Sequence, residues 1–264
     1  MEPFREAFPE RFFDVGIAEQ HAVTMAAGLA MGGMKPVVAI YSSFLQRAYD
    51  QMLHDVALQR LHVVFAIDRA GLVGADGETH QGVYDIAYCL TMPYVEIYSP
   101  ASKGELEEML KMAVEGDVSA AVRYGKGTLP DRVYPAVEYG KWIEIKPISN
   151  VTVVATGRMV EIAERAVENL DVGLVNARFI RPMDEAMLDM IKQKSSYVIT
   201  IEDGIAKGGM GSRIAQRLMG IKVECMGVSE KPVSQGTCEE QTRLCGMDET
   251  AVRVRVLMAM EGIK

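Results

Sequence analysis

No stretch of this sequence is both apolar and long enough to cross a bilayer, and the residues after Met1 lack the basic segment and apolar core of a secretory signal. The expectation is a cytoplasmic protein with no membrane partner. Cysteine is scarce, and Cys89, Cys225, Cys238 and Cys245 form no close pair of the kind that binds metal or staples a small secreted fold. Reduced thiols are the economical reading. Basic residues are outnumbered, 28 Lys and Arg against 36 Asp and Glu, and the net charge of −8 argues against nucleic acid as a partner while leaving room for a locally basic pocket. Short-period repeats and low-complexity segments are also missing. What is present, 264 residues of which 49% are hydrophobic, suffices for two ordinary cores.

The order of apolar segments gives an α/β reading. Strand-like runs at Val37 to Ile40, Val63 to Ile67, Tyr94 to Tyr98 and Ala120 to Val122 alternate with helical segments such as Lys103 to Ala113. Such alternation predicts a mostly parallel sheet covered by helices. Between Gly127 and Pro147 the period disappears among Pro130, Pro135 and Gly140, as in a linker. The pattern then restarts with Val151 to Ala155, Val172 to Val175, Tyr197 to Ile201 and Val223 to Met226, and with a helix over Met159 to Leu170. The predicted division is therefore 1–128, a linker at 129–147, and a second α/β domain at 148–264.

Two segments carry chemistry. In Gly16-Ile17-Ala18-Glu19-Gln20-His21, a carboxylate stands at the mouth of a helix of small apolar residues, Ala22, Val23, Ala26, Ala27, Leu29 and Ala30. A dry setting would raise the pKa of Glu19 and suit it to proton transfer near neutral pH. A first-turn glutamate complementing the helix dipole is the structural alternative. The second segment, Ala75-Asp76-Gly77-Glu78-Thr79-His80-Gln81-Gly82, follows a strand, and ligands in open α/β sheets bind beyond the strands' carboxyl ends. Its glycines permit sharp turns, and histidine is the side-chain type suited to moving protons near neutral pH; a surface loop with an incidental histidine is the alternative. A further glycine cluster, Gly204 to Ser212, precedes a predicted helix from Arg213 to Met219. Its spacing fits neither a Walker loop nor a dinucleotide fingerprint, so a tight strand-to-helix turn is preferred over phosphate binding.

From about Arg11 onwards the chain resembles the 1-deoxy-D-xylulose-5-phosphate synthase family of thiamine-diphosphate enzymes. The likeness is carried by Asp14 to His21, by Ala39-Ile40-Tyr41-Ser42-Ser43-Phe44-Leu45-Gln46-Arg47-Ala48-Tyr49-Asp50-Gln51, by Ala66 to Gly71, and by Gly74 to Gly82. The resemblance implies a transketolase-like pyrimidine-binding domain followed by a transketolase C-terminal domain. It implies an activity joining pyruvate to glyceraldehyde 3-phosphate with loss of carbon dioxide, a step supplying isoprenoid and thiamine precursors. Glu19 would hydrogen-bond the aminopyrimidine of thiamine diphosphate and share a proton with it. Phe44, with Tyr41 nearby, would stack on that ring; without the resemblance both read as core packing. His80 and Asp76 would face the reacting carbons, and Arg47 and Arg69 would line the substrate channel, where a guanidinium can grip phosphate.

Two departures stand out. The family's Arg-Tyr-Pro-Arg-Gly string reads Arg123-Tyr124-Gly125-Lys126-Gly127, so Lys126 would meet phosphate as a point charge without bidentate geometry. The family's Gly-Asp-Gly element and following asparagine, which hold Mg²⁺ and the diphosphate, have no counterpart; asparagine occurs only at Asn150, Asn169 and Asn176. The expectation is a pyrimidine half-site, inactive alone, that needs an N-terminal diphosphate-binding domain or chain and forms a homodimer. The alternatives are the C-terminal subunit of a split transketolase, a pyruvate dehydrogenase beta-type chain, and a noncatalytic assembly module.

Overall fold

The computed structural model describes residues 1–262, which form two five-stranded sheets, each mostly parallel and flanked by helices. The first runs in the order β1 (Val37–Tyr41), β2 (Val64–Ala70), β4 (Ser119–Gly125), β3 (Val95–Tyr98) and β8 (Phe179–Arg181). The second runs β10 (Lys222–Val228), β9 (Tyr197–Ile205), β6 (Val151–Ala155), β7 (Gly173–Asn176) and β5 (Ile143–Lys146). Only β8 and β5, at one edge of each sheet, run antiparallel to their neighbours. The central strands are buried along almost their whole length, because helices cover both faces of a parallel sheet; hence the continuous apolar runs that made them legible.

The sheets do not divide the chain as cleanly as the sequence suggested. β5 lies inside the stretch read as a linker. β8, far downstream of that stretch, crosses over to pair with β3 of the first sheet, through Ile97↔Arg181 and Tyr98↔Phe179. The chain's single tryptophan, Trp142, sits at this junction, 5% exposed, with its Nε1 donating to the Phe179 carbonyl at 2.7 Å.

Helix boundaries follow from their caps. Ser102 accepts from the Glu105 amide at the start of the Lys103–Glu115 helix, and Asp184 accepts from Met187 at the start of Glu185–Lys194. The Met159 helix ends at Ala166, short of the expected Leu170, and the helix expected at Arg213 begins at Met210. That early start has a cause: the Glu202 side chain from β9 accepts from the Met210 and Gly211 amides at 2.9 and 2.8 Å. The helix entrance that an external anion would use is thus filled by the chain's own carboxylate, as the tight-turn reading requires. Burial pushes the Glu202 carboxyl up to about 7, against the lowering effect of those two amides.

The sheets are also joined by a buried ion triad. Arg123 on β4 donates through Nε to Asp85 at 3.0 Å and through Nη1 to Asp203 of β9 at 2.7 Å, and all three side chains are 3% exposed or less. Burial pushes Asp85 above the usual carboxylate range even though the guanidinium opposes it.

Candidate active site

The Glu19–Met31 helix begins at Glu19 itself, a residue 8% exposed. Small residues allow this: Val23, Ala26 and Ala27 pack into the core and bring the first turn close to the sheet. Glu19 faces a cation, since Arg47 Nη1 donates to its Oε1 at 2.9 Å. Arg47 comes from the segment after β1, where short helical turns lead into a π-helical stretch, Met52–Ala57. Its guanidinium also lies over the Phe44 ring, 5.0 Å from the centroid.

Phe44 links the two sequence segments. Its ring is offset-stacked with Tyr41 at 5.7 Å and meets His80 edge-on at 5.3 Å. Tyr41 ends β1 and is paired in register with Asp68 on β2, so the chain beyond β2 emerges beside it. There the ladder with β4 is interrupted between Ile67 and Ala70, and Arg69 adopts φ of 54°, a left-handed conformation uncommon for a side-chain-bearing residue. The Asp68 carboxylate holds this kink by accepting from the Arg69 amide at 2.6 Å. Arg69 then lies over the Tyr41 ring at 4.1 Å and forms an ion pair with Asp76. Asp76 also accepts from Lys126 Nζ at 2.9 Å. The Lys126 hydrogen bond, with Arg69 adding to it, holds the Asp76 carboxyl below the usual carboxylate range.

The Asp76–His80 loop is closed at its neck by Gly71 and Gly82, which exchange both backbone hydrogen bonds at 2.7 and 2.8 Å. Both positions require glycine. A Cβ on Gly71 would lie 2.2 Å from Asp203 Oδ2, and one on Gly82 would lie 2.2 Å from the Arg69 carbonyl. Two short 3₁₀ turns, Gly74–Asp76 and Glu78–His80, then present Asp76 and His80. The His80 Nδ1 is 2.9 Å from Thr79 Oγ1.

The eight candidate site residues of the pyrimidine-domain reading are therefore in one contact path: Glu19, Arg47, Phe44, with His80 and Tyr41 branching from Phe44, then Arg69, Asp76 and Lys126. The sequence did not flag the second half's contribution. Arg158 Nη1 donates to the Leu72 carbonyl and Gln235 Nε2 to the Ala75 carbonyl, each at 3.1 Å. No local pattern marks these residues, because their partners are distant in the chain. Behind the loop, bordered by Lys126, Arg158, Cys238 and Arg243, lies an open cleft of about 710 Å³ whose lining carries charges of both signs.

Models of protein families agree with this layout. The transketolase pyrimidine binding domain matches residues 1–132, and the transketolase C-terminal domain matches residues 140–252. This chain belongs to the transketolase family. Within it, the chain is 44% identical over 268 residues to the 1-deoxy-D-xylulose-5-phosphate synthase of Clostridium tetani, covering 97% of this chain and 43% of that protein. It is 46% identical over 259 residues to the synthase of Aeromonas hydrophila, covering 95% of this chain and 42% of that protein. The chain thus spans less than half the length of the curated relatives it matches, and corresponds to their C-terminal portion. Among solved transketolase-family structures, a split-gene transketolase in an inactive beta4 tetramer superposes with a TM-score of 0.90 at 28% identity, covering 98% of this chain and 87% of that chain. A transketolase from Pichia stipitis superposes at 0.77 with 17% identity, covering 94% of this chain and 38% of that one, which bears on fold alone.

The pyrimidine-binding domain implies use of thiamine diphosphate. The residues present suit one end of that cofactor. Glu19 is a shielded carboxylate whose Oε2 carries no hydrogen bond among the described residues, and Phe44 is an aromatic platform in the same contact path. No cluster of three or more His, Cys, Asp or Glu able to hold a metal ion occurs among the described residues. No helix among them is long and apolar enough to cross a membrane.

Proposed function

We propose that this chain is the pyrimidine-binding half of a 1-deoxy-D-xylulose-5-phosphate synthase, acting on pyruvate and glyceraldehyde 3-phosphate once an N-terminal diphosphate-binding half supplies Mg²⁺ and diphosphate contacts. The observation that supports this reading is the contact path from Glu19 to Lys126, with a shielded carboxylate at one end and three paired charges, Arg69, Asp76 and Lys126, at the other. Thiamine diphosphate, when bound, supplies the nucleophilic carbon and the electron sink for decarboxylation. Glu19 holds and shares the proton of the pyrimidine, while Arg47 keeps its other oxygen occupied and so orients the free one. Phe44 stacks on the ring and excludes water from it.

At the far end, Arg69 and Lys126 neutralise Asp76 and present the donors that a phosphorylated aldehyde needs. The incoming phosphate competes with Asp76 for these cations, leaving Asp76 and His80 to handle the acceptor's hydroxyl and carbonyl groups. Exposed apolar side chains around the Glu19–Met31 helix, Ile17 at 93%, Met31 at 70% and Phe13 at 59%, support burial in an assembly that includes a second copy and the N-terminal half. Free cysteines throughout suit a reducing compartment such as the cytoplasm.

A second reading, the C-terminal subunit of a split transketolase, is favoured by the near full-length superposition on such a chain. One experiment separates them. The purified chain is mixed with an N-terminal half carrying the Gly-Asp-Gly element, and substrates are compared. Mg²⁺-dependent carbon dioxide release from pyruvate in the presence of glyceraldehyde 3-phosphate supports the synthase, and ketol transfer from a ketose phosphate without that release supports the transketolase. Release of carbon dioxide by the chain alone would refute the half-site reading.

A further inference from the structure

The loop that carries Asp76 and His80 belongs to the first half by sequence, yet its inner face is built by the second. Gln241, 2% exposed, lies on the Cys238–Leu244 helix and uses its amide fully. Its Oε1 accepts from the Gly74 amide at 2.8 Å, and its Nε2 donates to the Gly74 carbonyl at 3.0 Å and to the Ser234 carbonyl at 2.8 Å. One side chain therefore satisfies both backbone groups of the residue that opens the first 3₁₀ turn, and ties that residue to the irregular segment before its own helix.

Neighbouring contacts repeat the arrangement. Gln81 at the loop's end accepts from the Val73 amide at 3.0 Å and donates to the Val233 carbonyl at 3.3 Å. Ser234 Oγ donates to Glu78, and Cys238 Sγ to the Leu72 carbonyl. The helix bearing Gln241 is itself pinned by a capping box, in which Thr237 and Glu240 each bond the other's backbone amide. Rigidity thus passes from the capping box to Gln241 and from Gln241 to Gly74, two residues before Asp76.

We propose that Gln241 is a positioning residue of the second domain, clamping the Asp76–His80 loop at Gly74 so that the loop's geometry depends on the C-terminal domain. The consequence for turnover rests on the role given to Asp76 and His80 above; the clamp itself does not. The physical reason is local. A loop closed only at its Gly71–Gly82 neck has few contacts of its own, and such segments open at low free energy unless tied down. Gln241 ties it through buried hydrogen bonds, which are costly to leave unmade.

The test substitutes Gln241→Met, which keeps length and removes every one of these bonds, and Gln241→Glu, which keeps the acceptor for Gly74 and loses both donors. Amide hydrogen exchange on the intact chain is the primary readout. The amides that report the loop are Gly74, bonded to Gln241, together with Val73, Gly77 and His80, which bond within it. In Gln241→Met these should exchange at least about tenfold faster while β6 and β9 keep their protection, and Gln241→Glu, whose second carboxylate oxygen would face the Gly74 and Ser234 carbonyls, should accelerate the same amides. If Gln241→Met does not fold, the Glu variant decides by the same comparison. Unchanged loop exchange, or acceleration spread evenly over both sheets, overturns the clamp.

With the N-terminal half added, kcat for carbon dioxide release should fall at least about tenfold, while the affinity for thiamine diphosphate changes by less than about threefold. Loss of cofactor affinity with kcat kept also overturns the proposal. Failure of the unsubstituted mixture to turn over would count against the synthase reading, while the exchange comparison would still decide the clamp.

Discussion

Replacing Arg123 with methionine removes one guanidinium that serves two buried carboxylates, Asp85 at 3.0 Å and Asp203 at 2.7 Å. Methionine fills much of the same volume, so the change is mainly one of charge and hydrogen bonding. Breaking a buried pair from one side costs about 3–5 kcal/mol, because the remaining charge is left without compensation. Here the upper part of that range applies, since both aspartates lose their partner and neither reaches water. The loss must also depend on pH. Asp85 is already raised above its ordinary value by burial, and without Arg123 it rises further. A carboxyl whose folded pKa exceeds its unfolded value destabilises the fold progressively as pH rises from the unfolded pKa of about 4 through the folded one. The penalty should therefore be larger at pH 8 than at pH 5.5. Urea unfolding followed by Trp142 fluorescence is the assay, because the chain's single tryptophan is buried where β8 joins the first sheet. A loss below about 1 kcal/mol at pH 8, or an equal loss at both pH values, would refute the assignment of Arg123 as an uncompensated-charge lock.

Other predictions concern single sites. Glu19→Gln keeps the shape of the side chain but cannot share the proton, so turnover of the reconstituted enzyme should fall at least about a hundredfold, and near-normal turnover would return Glu19 to a helix-dipole role. Arg69→Ala should raise the Michaelis constant for glyceraldehyde 3-phosphate much more than that for pyruvate; equal effects would mark a structural arginine. Glu202→Gln should flatten the stability profile across the window set by its pKa. Because that carboxyl is raised from 4.5 to about 7, its contribution is fully present below pH 4.5 and is lost as pH rises through 7, a change on the order of 3 kcal/mol. An unchanged profile between pH 5 and 8 in the Gln variant would show that another group controls it.

Much of the fold could be read from the chain because parallel strands are covered on both faces. β2 opens with the apolar run Val64 to Ile67 and β6 is apolar apart from a buried Thr152, and each was located to within a few residues. β5 and β8 were missed for the converse reason. They are short antiparallel edge strands, and β8 is a strand only because β3 offers it a partner from another part of the chain. The site shows the same division. Glu19, Asp76 and His80 were conspicuous as polar groups set among small apolar residues or glycines, a local feature. Arg123 was visible only as part of a string, and its burial between Asp85 and Asp203 was not.

By itself, then, the sequence determined which segments become buried strands and helices and which polar residues are out of place in them, since both follow from spacing along one chain. Tertiary structure alone decided that Arg47 pairs with Glu19, that Arg69 and Lys126 share Asp76, and that Gln241 holds Gly74. The first two join groups that the folding of the first half alone brings together, and only the last joins the two halves. A hydrogen bond or ion pair leaves no periodic trace in the residues between its partners.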